Sequence, residues 1–168
     1  VLHPNTIALD VTVSKGAPET LSQLYLPLSL LDHASIETGA LTETSLSLDL
    51  SIKVPRYGKV CGVLYQQHIL PKDGHIELDN FVDSGIMKET MKTYGNISVL
   101  EIEGNTCYPL LDSPRMQPAF YTKHIFWSDG NYLFCLKLPV TYYLPVTEVE
   151  GIVTSLTAVE DITQYLTS

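Results

Sequence analysis

Two histidines, His68 and His75, lie on either side of a Pro-Lys-Asp-Gly sequence at 71–74, which has the composition of a tight turn. If the segments that flank this turn pair as a hairpin, His68 faces Glu77 and His75 lies near both. Imidazole and carboxylate groups carry out general acid–base catalysis and bind metals. A site of either kind needs at least three converging groups, and no second strand supplies more. The pattern therefore favours solvated side chains beside a turn over a hydrolase site at these residues.

The three cysteines, Cys61, Cys107 and Cys135, are odd in number and their spacings match no zinc motif. We expect small buried side chains in a reducing compartment, and the sequence leaves open whether any pair is bridged. Cys61 and His68 are not a nucleophile and its base, because they lie roughly 23 Å apart along one strand. No nucleotide-binding loop, nucleophile elbow or zinc-protease motif is present. We therefore expect no enzyme, no cofactor and no metal site.

Aromatic residues gather around a Ser-Asp-Gly-Asn sequence at 128–131, which is typical of a hairpin turn. Tyrosine and tryptophan combine a large apolar area with a polar tip, and this combination suits binding surfaces. The alternative is that these rings fill strands, which aromatic residues also favour. The binding hypothesis assigns five residues to the surface at this turn: Tyr121, Trp127, Asp129, Asn131 and Tyr132.

A glycosylation sequon occurs at Asn96-Ile97-Ser98, and its rarer cysteine form occurs at Asn105-Thr106-Cys107. Both asparagines are expected at turns, where an attached glycan has room. Asn96 is therefore a candidate acceptor if the protein enters the secretory pathway.

The elements that must position these residues are predicted to be strands. Thr44–Val54 alternates apolar and polar residues at every step, which indicates a strand with one buried face. Ile7–Val13 and Leu24–Leu30 repeat the pattern, and Pro27 limits the latter to an edge or a bulge.

Three turn sequences predict three local hairpins, and local hairpins make a sheet antiparallel. The turns at 71–74, 103–105 and 128–131 should join three pairs of strands: Lys59–Leu70 with His75–Val82, Ile97–Ile102 with Thr106–Leu111, and Tyr121–Trp127 with Tyr132–Leu138.

Two segments have helical spacing of their apolar residues. Ser84–Tyr94 begins at a capping residue and is followed by Gly95, so a short helix is predicted. The segment 149–166 also has a helical apolar face, although its Val, Thr and Ile content suits a strand. We predict a helix there, with a strand as the open alternative.

The composition is that of an acidic chain with few charges. Its 168 residues have a formal net charge of −9, and only 17% of them are charged. The lysines are scattered singly, which excludes the cation clusters that nucleic acids and anionic membranes require. No apolar run has the ~20 residues of a membrane-spanning helix, and no signal peptide is recognisable. Because the chain begins with Val rather than Met, we expect a processed product or a fragment of a larger protein.

Taken together, these features predict one all-β domain over 1–168, a β-sandwich or jelly-roll of about eight strands with one or two short helices. We expect a soluble, non-enzymatic interaction domain: a viral capsid or spike module at the virion surface or outside the cell. Its partner is a protein receptor or a glycan, or neighbouring subunits in a homo-oligomer or larger assembly. The alternative hypothesis is a carrier of a small apolar ligand. A third, less favoured hypothesis is a hydrolase whose site contains His68, His75 and Glu77.

Overall fold

Antiparallel β-strands dominate the chain in a computed structural model that describes residues 8–32, 34–54, 58–78, 86–107, 119–139 and 148–166. The predicted all-β, sandwich-like class is confirmed. The strands of the described chain are β1 (Ala8–Asp10), β2 (Leu24–Pro27), β3 (Ala34–Leu41), β4 (Ser45–Val54), β5 (Gly58–Ile69), β6 (His75–Glu77), β7 (Ile86–Tyr94), β8 (Ile97–Cys107), β9 (Ala119–Ser128), β10 (Tyr132–Pro139) and β11 (Leu156–Val159). The helices are α1 (Glu148–Thr154) and two 3-10 helices, Leu28–Asp32 and Ile162–Tyr165.

One seven-stranded antiparallel sheet forms the centre of the fold, in the order β3-β4-β5-β10-β9-β8-β7. Successive side chains of a strand point to opposite faces, and β10 shows both faces buried. Phe134 and Leu136 belong to one apolar cluster, and Leu133 and Cys135 belong to the other. The sheet therefore has an apolar core on each side.

Different small elements cover the two faces. One face of the sheet, called the helix face below, packs against β2, β11, α1 and both 3-10 helices. The apolar residues that these elements contribute include Leu26, Leu30, Val149, Ile152, Val153, Val159 and Ile162. The opposite face, called the N-terminal face below, packs against the two-stranded sheet of β1 and β6. Leu9, Ile76 and Leu78 belong to the apolar cluster on this face. No helix among the described residues is long and apolar enough to cross a membrane.

The strand predicted at 44–54 is confirmed as β4, which lies between β3 and β5. Its alternating residues Leu46, Leu48, Leu50 and Ile52 are all buried on the helix face. The hairpin predicted at 128–131 is also confirmed, because β9 and β10 pair with Ser128 opposite Leu133.

The hairpin predicted around 71–74 is wrong. The turn itself forms, and the Gly74 amide donates to the Pro71 carbonyl at 3.0 Å. The strand β6, however, pairs with β1, while β5 lies between β4 and β10. Both edges of β5 are therefore occupied inside the large sheet, and the turn carries the chain out of that sheet onto its N-terminal face.

The turn predicted at 103–105 is also wrong, because β8 runs unbroken from Ile97 to Cys107. Gly104 lies opposite Ile86 on one side and Thr122 on the other. The register with β7 shifts between Ile86 and Lys88, so Gly104 faces a β-bulge, where a strand tolerates glycine. Asn105 consequently lies within a strand and not at a turn.

The helix predicted at 84–94 is an edge strand, β7, over the residues that the structure describes. Tyr94 lies opposite Ile97, so Gly95 and Asn96 form a two-residue hairpin loop. Gly95 has a φ of +63°, which such loops require, and this explains why a glycine that resembled a helix stop occurs here.

The predicted C-terminal helix is correct only for its first part. The helix α1 ends at Thr154, β11 follows, and a 3-10 helix starts at Ile162. The predicted strand at 24–30 likewise ends at Pro27 and continues as a 3-10 helix, because proline removes a ladder donor. Of the strand predicted at 7–13, the structure describes residues 8–13, of which only Ala8–Asp10 are β-strand.

Candidate functional site

The β9–β10 turn is held by its own polar side chains. The Ser128 hydroxyl donates to the Tyr132 carbonyl at 2.8 Å and accepts from the Gly130 amide at 2.9 Å. The Asp129 carboxylate accepts from the Asn131 and Tyr132 amides at 2.8 and 2.9 Å. Asp129 is exposed and Asn131 is half-buried. The residue types that predicted this turn are therefore the groups that close it.

The aromatic residues of this hairpin lie in the core, and the prediction that Trp127 belongs to an exposed surface is wrong. Trp127 is 2% exposed and its ring stacks on Phe134 with centroids 5.5 Å apart. Tyr132 is also buried. Both faces of the hairpin are covered, with Trp127, Tyr132 and Phe134 in one apolar cluster and Phe126 in the other. The side chain of Tyr121 lies outside the described residues.

The N-terminal segment 11–14 docks on two turns that the sequence identified. The Val11 amide donates to the Gly74 carbonyl at 2.8 Å, and the Ser14 amide donates to the Gly130 carbonyl at 2.8 Å. The glycines have φ values of +71° and +89°. A Cβ atom at Gly74 would collide with the Val11 carbonyl, and one at Gly130 would collide with the Ser14 hydroxyl. Glycine is thus required by close backbone approach as well as by turn geometry.

A cleft of about 640 Å³ opens between this N-terminal segment, the β9–β10 turn and the β7–β8 hairpin loop. Three segments that are distant in sequence meet at it, so no local pattern could reveal it. The residues that line this cleft, called the hairpin cleft below, are Leu9, Asp10, Val11, Thr12, Ser14, Met91, Asn96, Ile97, Ser98, Ser128, Asp129 and Gly130.

Hydrogen-bonding groups dominate the chemistry of the hairpin cleft. It has two carboxylates, Asp10 and Asp129, one amide, Asn96, and four hydroxyl side chains. No lysine, arginine or histidine occurs among its described lining residues. Met91 contributes an apolar side chain that is 57% exposed. The cleft is therefore polar and acidic, with an apolar patch on one wall.

The predicted glycan acceptor Asn96 lies in the exposed loop of the β7–β8 hairpin, as expected for a turn. It also lines the hairpin cleft together with Ile97 and Ser98. Its glycosylation stays a prediction.

The predicted grouping of His68, His75 and Glu77 depends on a hairpin that does not form. His68 lies in β5, opposite Ser45 and Leu133, and burial lowers its pKa. The His75 ring is 2.7 Å from the Asp10 carboxylate on β1. That hydrogen bond, with the negative charges of Asp10, Asp73 and Glu77, raises the pKa of His75. The described residues contain no group of three such side chains that is placed to hold a metal.

A buried charge cluster on the helix face escaped the sequence interpretation. The Glu101 carboxylate is 2.8 Å from the Lys123 ammonium and 3.3 Å from the Lys92 ammonium. The Tyr94 hydroxyl donates to the same carboxylate at 3.0 Å. Glu101 and Lys123 are both buried. The sequence signal for this cluster is alternation, which places Glu101 on the same face as Val99.

Of the three cysteines, the structure describes the side chain of Cys135, which is a free thiol in the core. Burial raises the pKa of that thiol well above its ordinary value, which makes it unreactive. The side chains of Cys61 and Cys107 lie outside the described residues.

Comparison with protein-family models, curated proteins and solved structures finds no match to this chain. The geometry of the site must therefore carry the functional argument.

Proposed function

We propose that this domain is a non-enzymatic binding module that holds its partner in the hairpin cleft. The supporting observation is the cleft of about 640 Å³, a size within the usual range for ligand sites. The Ser14–Gly130 hydrogen bond joins the N-terminal wall to the β9–β10 turn, and the β7–β8 hairpin is joined to β9 by strand pairing, so the cleft is formed before a ligand arrives.

A neutral glycan is the partner that the lining fits best. Hydroxyl, amide and carboxylate groups together offer both donors and acceptors to sugar hydroxyls. The exposed Met91 side chain offers an apolar surface to the C–H face of a ring. Asp10 and Asp129 are the charged residues of the described lining, and their negative charge disfavours anionic sugars.

A non-enzymatic role is supported by the engagement of both carboxylates in structural contacts. Asp129 closes the β9–β10 turn through its Oδ1 atom. Asp10 holds His75 through its Oδ1 atom. The Oδ1 atoms of both carboxylates therefore serve to hold the fold, which fits a binding role.

Binding to an immobilised panel of oligosaccharides tests the proposal. Thr12 and Ser98 are exposed on opposite walls of the cleft, so Thr12→Arg and Ser98→Arg fill it without disturbing the core. We expect binding of at least one neutral glycan to weaken by about tenfold or more in each variant. Leu41→Asp, at an exposed residue outside the cleft, is the control and should bind the glycan as the native chain does. No glycan binding, or binding that survives both arginine variants, would contradict the proposal.

The viral capsid or spike setting rests on the composition of the sequence alone, and we retain it as a proposal. Such modules act as parts of an oligomer, so a strict monomer in light scattering would argue against it.

The carrier hypothesis has less support. An apolar pocket of about 240 Å³ lies on the helix face, but it opens at the surface beside exposed Leu41. It is also smaller than typical ligand cavities of roughly 300 Å³ and above.

A further inference from the structure

Leu41 is a large apolar side chain that is 60% exposed at the end of edge strand β3. Among the described residues, only Leu41 and Met91 expose a large hydrophobic side chain to this extent. Met91 belongs to the hairpin cleft, whereas Leu41 lies on a different part of the surface. Leu41 therefore calls for a separate explanation.

Two adjoining pockets of about 240 and 350 Å³ surround Leu41 and share Leu24, Leu41 and Glu160. We call the combined depression the Leu41 groove. The smaller pocket is mainly apolar, with Leu24, Leu46, Ile162 and Leu166 in its walls. The groove thus offers a recess for one aliphatic side chain and an open extension beside it.

The outer edge of β3 runs along this groove. The strand pairs with β4 on one side, and Leu166 forms a parallel bridge with Ile36 on the other. Beyond a bulge at Glu37, residues 38–41 read Thr-Gly-Ala-Leu, are exposed, and have no described strand on their outer side. Their outward N–H and C=O groups can accept another strand.

The two edge strands of the large sheet differ in how well they are protected against the addition of another strand. The edge strand β7 carries three charged residues in its sequence, Lys88, Glu89 and Lys92, and charges of this kind deter strand addition. The 38–41 part of β3 carries none. The single-residue bridge to Leu166 shows that the β3 edge can pair its backbone in parallel orientation at Ile36.

The charge of the Leu41 groove indicates which kind of partner it binds. Glu160 and Asp161 line the groove, and no lysine, arginine or histidine is among its described lining residues. Both carboxylates are exposed; that of Asp161 accepts from the Thr163 amide and hydroxyl at 3.0 and 2.7 Å, whereas no such contact holds Glu160 among the described residues. A second copy of the chain would bring the same carboxylates and the same net charge of −9, so self-pairing is repelled.

We propose that the Leu41 groove docks an extended, basic segment of a partner protein. The segment adds to β3 along 38–41, places an aliphatic side chain in the 240 Å³ pocket, and directs a lysine or arginine toward Glu160. This interaction is independent of the hairpin cleft and of its ligand.

A blocked pentapeptide, acetyl-Lys-Val-Leu-Val-Lys-amide, titrated into nitrogen-15-labelled protein is the test. We expect saturable amide shifts confined to 38–41 and 159–166. Leu41→Asp should weaken binding by about tenfold or more, since it removes apolar contact area. Glu160→Lys should weaken it by roughly two- to fivefold, the range for an exposed ion pair. Both side chains are exposed, so neither change threatens folding.

Three controls keep the proposal falsifiable. Met91→Asp, the matched exposed apolar residue, should leave peptide binding unchanged. A peptide N-methylated at alternate residues should lose binding, because it cannot pair with the strand edge. The acidic peptide acetyl-Glu-Val-Leu-Val-Glu-amide should bind more weakly than the basic one.

Absence of saturable shifts, or equal binding of the acidic and basic peptides, would overturn the proposal. So would self-association of the native chain that Leu41→Asp abolishes, because it assigns the groove to a second copy. A negative result in the peptide titration does not affect the proposal of glycan binding in the hairpin cleft, because Thr12 and Ser98 lie outside the Leu41 groove.

Discussion

The Glu101 carboxylate lies 2.8 Å from the Lys123 ammonium, across the β8–β9 pairing, and both side chains are buried on the helix face. Burial would raise the pKa of Glu101, but the hydrogen bond and charge of Lys123, with Tyr94 and Lys92, hold it below its ordinary value. Burial and the Glu101 charge raise the pKa of Tyr94 to about 12. The carboxylate therefore stays ionised inside the fold.

Removing one charge of the Glu101–Lys123 pair should lower the free energy of unfolding more than removing both. Glu101→Gln keeps the side-chain volume but leaves the Lys123 ammonium buried without its main counterion, and we expect the free energy of unfolding to fall by about 3–5 kcal/mol. The double variant Glu101→Gln/Lys123→Met should recover much of that loss. Urea unfolding of the three proteins measures both effects. Lys92→Met is the control, because Lys92 is 36% exposed and its contribution is expected to be below about 1 kcal/mol. Equal losses in the single and double variants would contradict this account.

His68 and His75 should titrate on opposite sides of the ordinary histidine pKa. The Asp10 contact raises the pKa of His75, and burial lowers the pKa of His68. The His75 contribution to stability is therefore fully present below about pH 6.5 and is lost as pH rises through its folded pKa. The sign for His68 is reversed, because folding favours its neutral form and protonation below pH 6.5 destabilises the fold.

An NMR titration of the two imidazole rings measures these shifts directly. Asp10→Asn should move the pKa of His75 toward about 6.5 and leave that of His68 unchanged. A pKa of His75 that does not respond to Asp10→Asn would show that the 2.7 Å contact is not its cause.

Alanine at the turn glycines Gly74 and Gly95 should lower the free energy of unfolding by unequal amounts. Both have positive φ, so alanine carries a backbone penalty of about 1–2 kcal/mol at either position. At Gly95 nothing lies within 4 Å of the added Cβ atom, whereas at Gly74 it meets the Val11 carbonyl. Gly74→Ala should therefore lower the free energy of unfolding by about 1–3 kcal/mol more than Gly95→Ala.

Hydrogen exchange at Val11 provides a local readout of the same difference. Its amide donates to the Gly74 carbonyl, so Gly74→Ala should accelerate exchange there while Gly95→Ala leaves it unchanged. Equal stabilities of the two alanine variants would contradict the close approach of segment 11–14 to the turn.

Trp127 should behave as a core residue. Trp127→Ala removes a ring that stacks on Phe134, and we expect a loss of about 3–5 kcal/mol in urea unfolding. Trp127→Phe keeps most of the apolar volume and should lose less. A Trp127→Ala protein as stable as the native chain, but defective in glycan binding, would restore the surface interpretation.

Local patterns in the sequence predicted the class of the fold and some of its elements. Period-two alternation identified β4, because a strand with one buried face must alternate. Asp129 and Gly130 identified the β9–β10 turn, because the carboxylate and the positive φ close it within a few residues. These interactions are complete within the segment that encodes them.

Strand pairing and exposure depended on tertiary structure. The 71–74 sequence specifies a change of direction, but nothing in it reveals that β1 would pair with β6. Trp127 and Met91 are both apolar residues of strands, yet one is buried in an interior strand and the other is exposed on an edge strand. The hairpin cleft and the Glu101–Lys123 pair likewise join residues from different parts of the chain. The sequence by itself thus determined local turns and alternation, whereas partners, burial and both candidate sites depended on long-range packing that no single segment encodes.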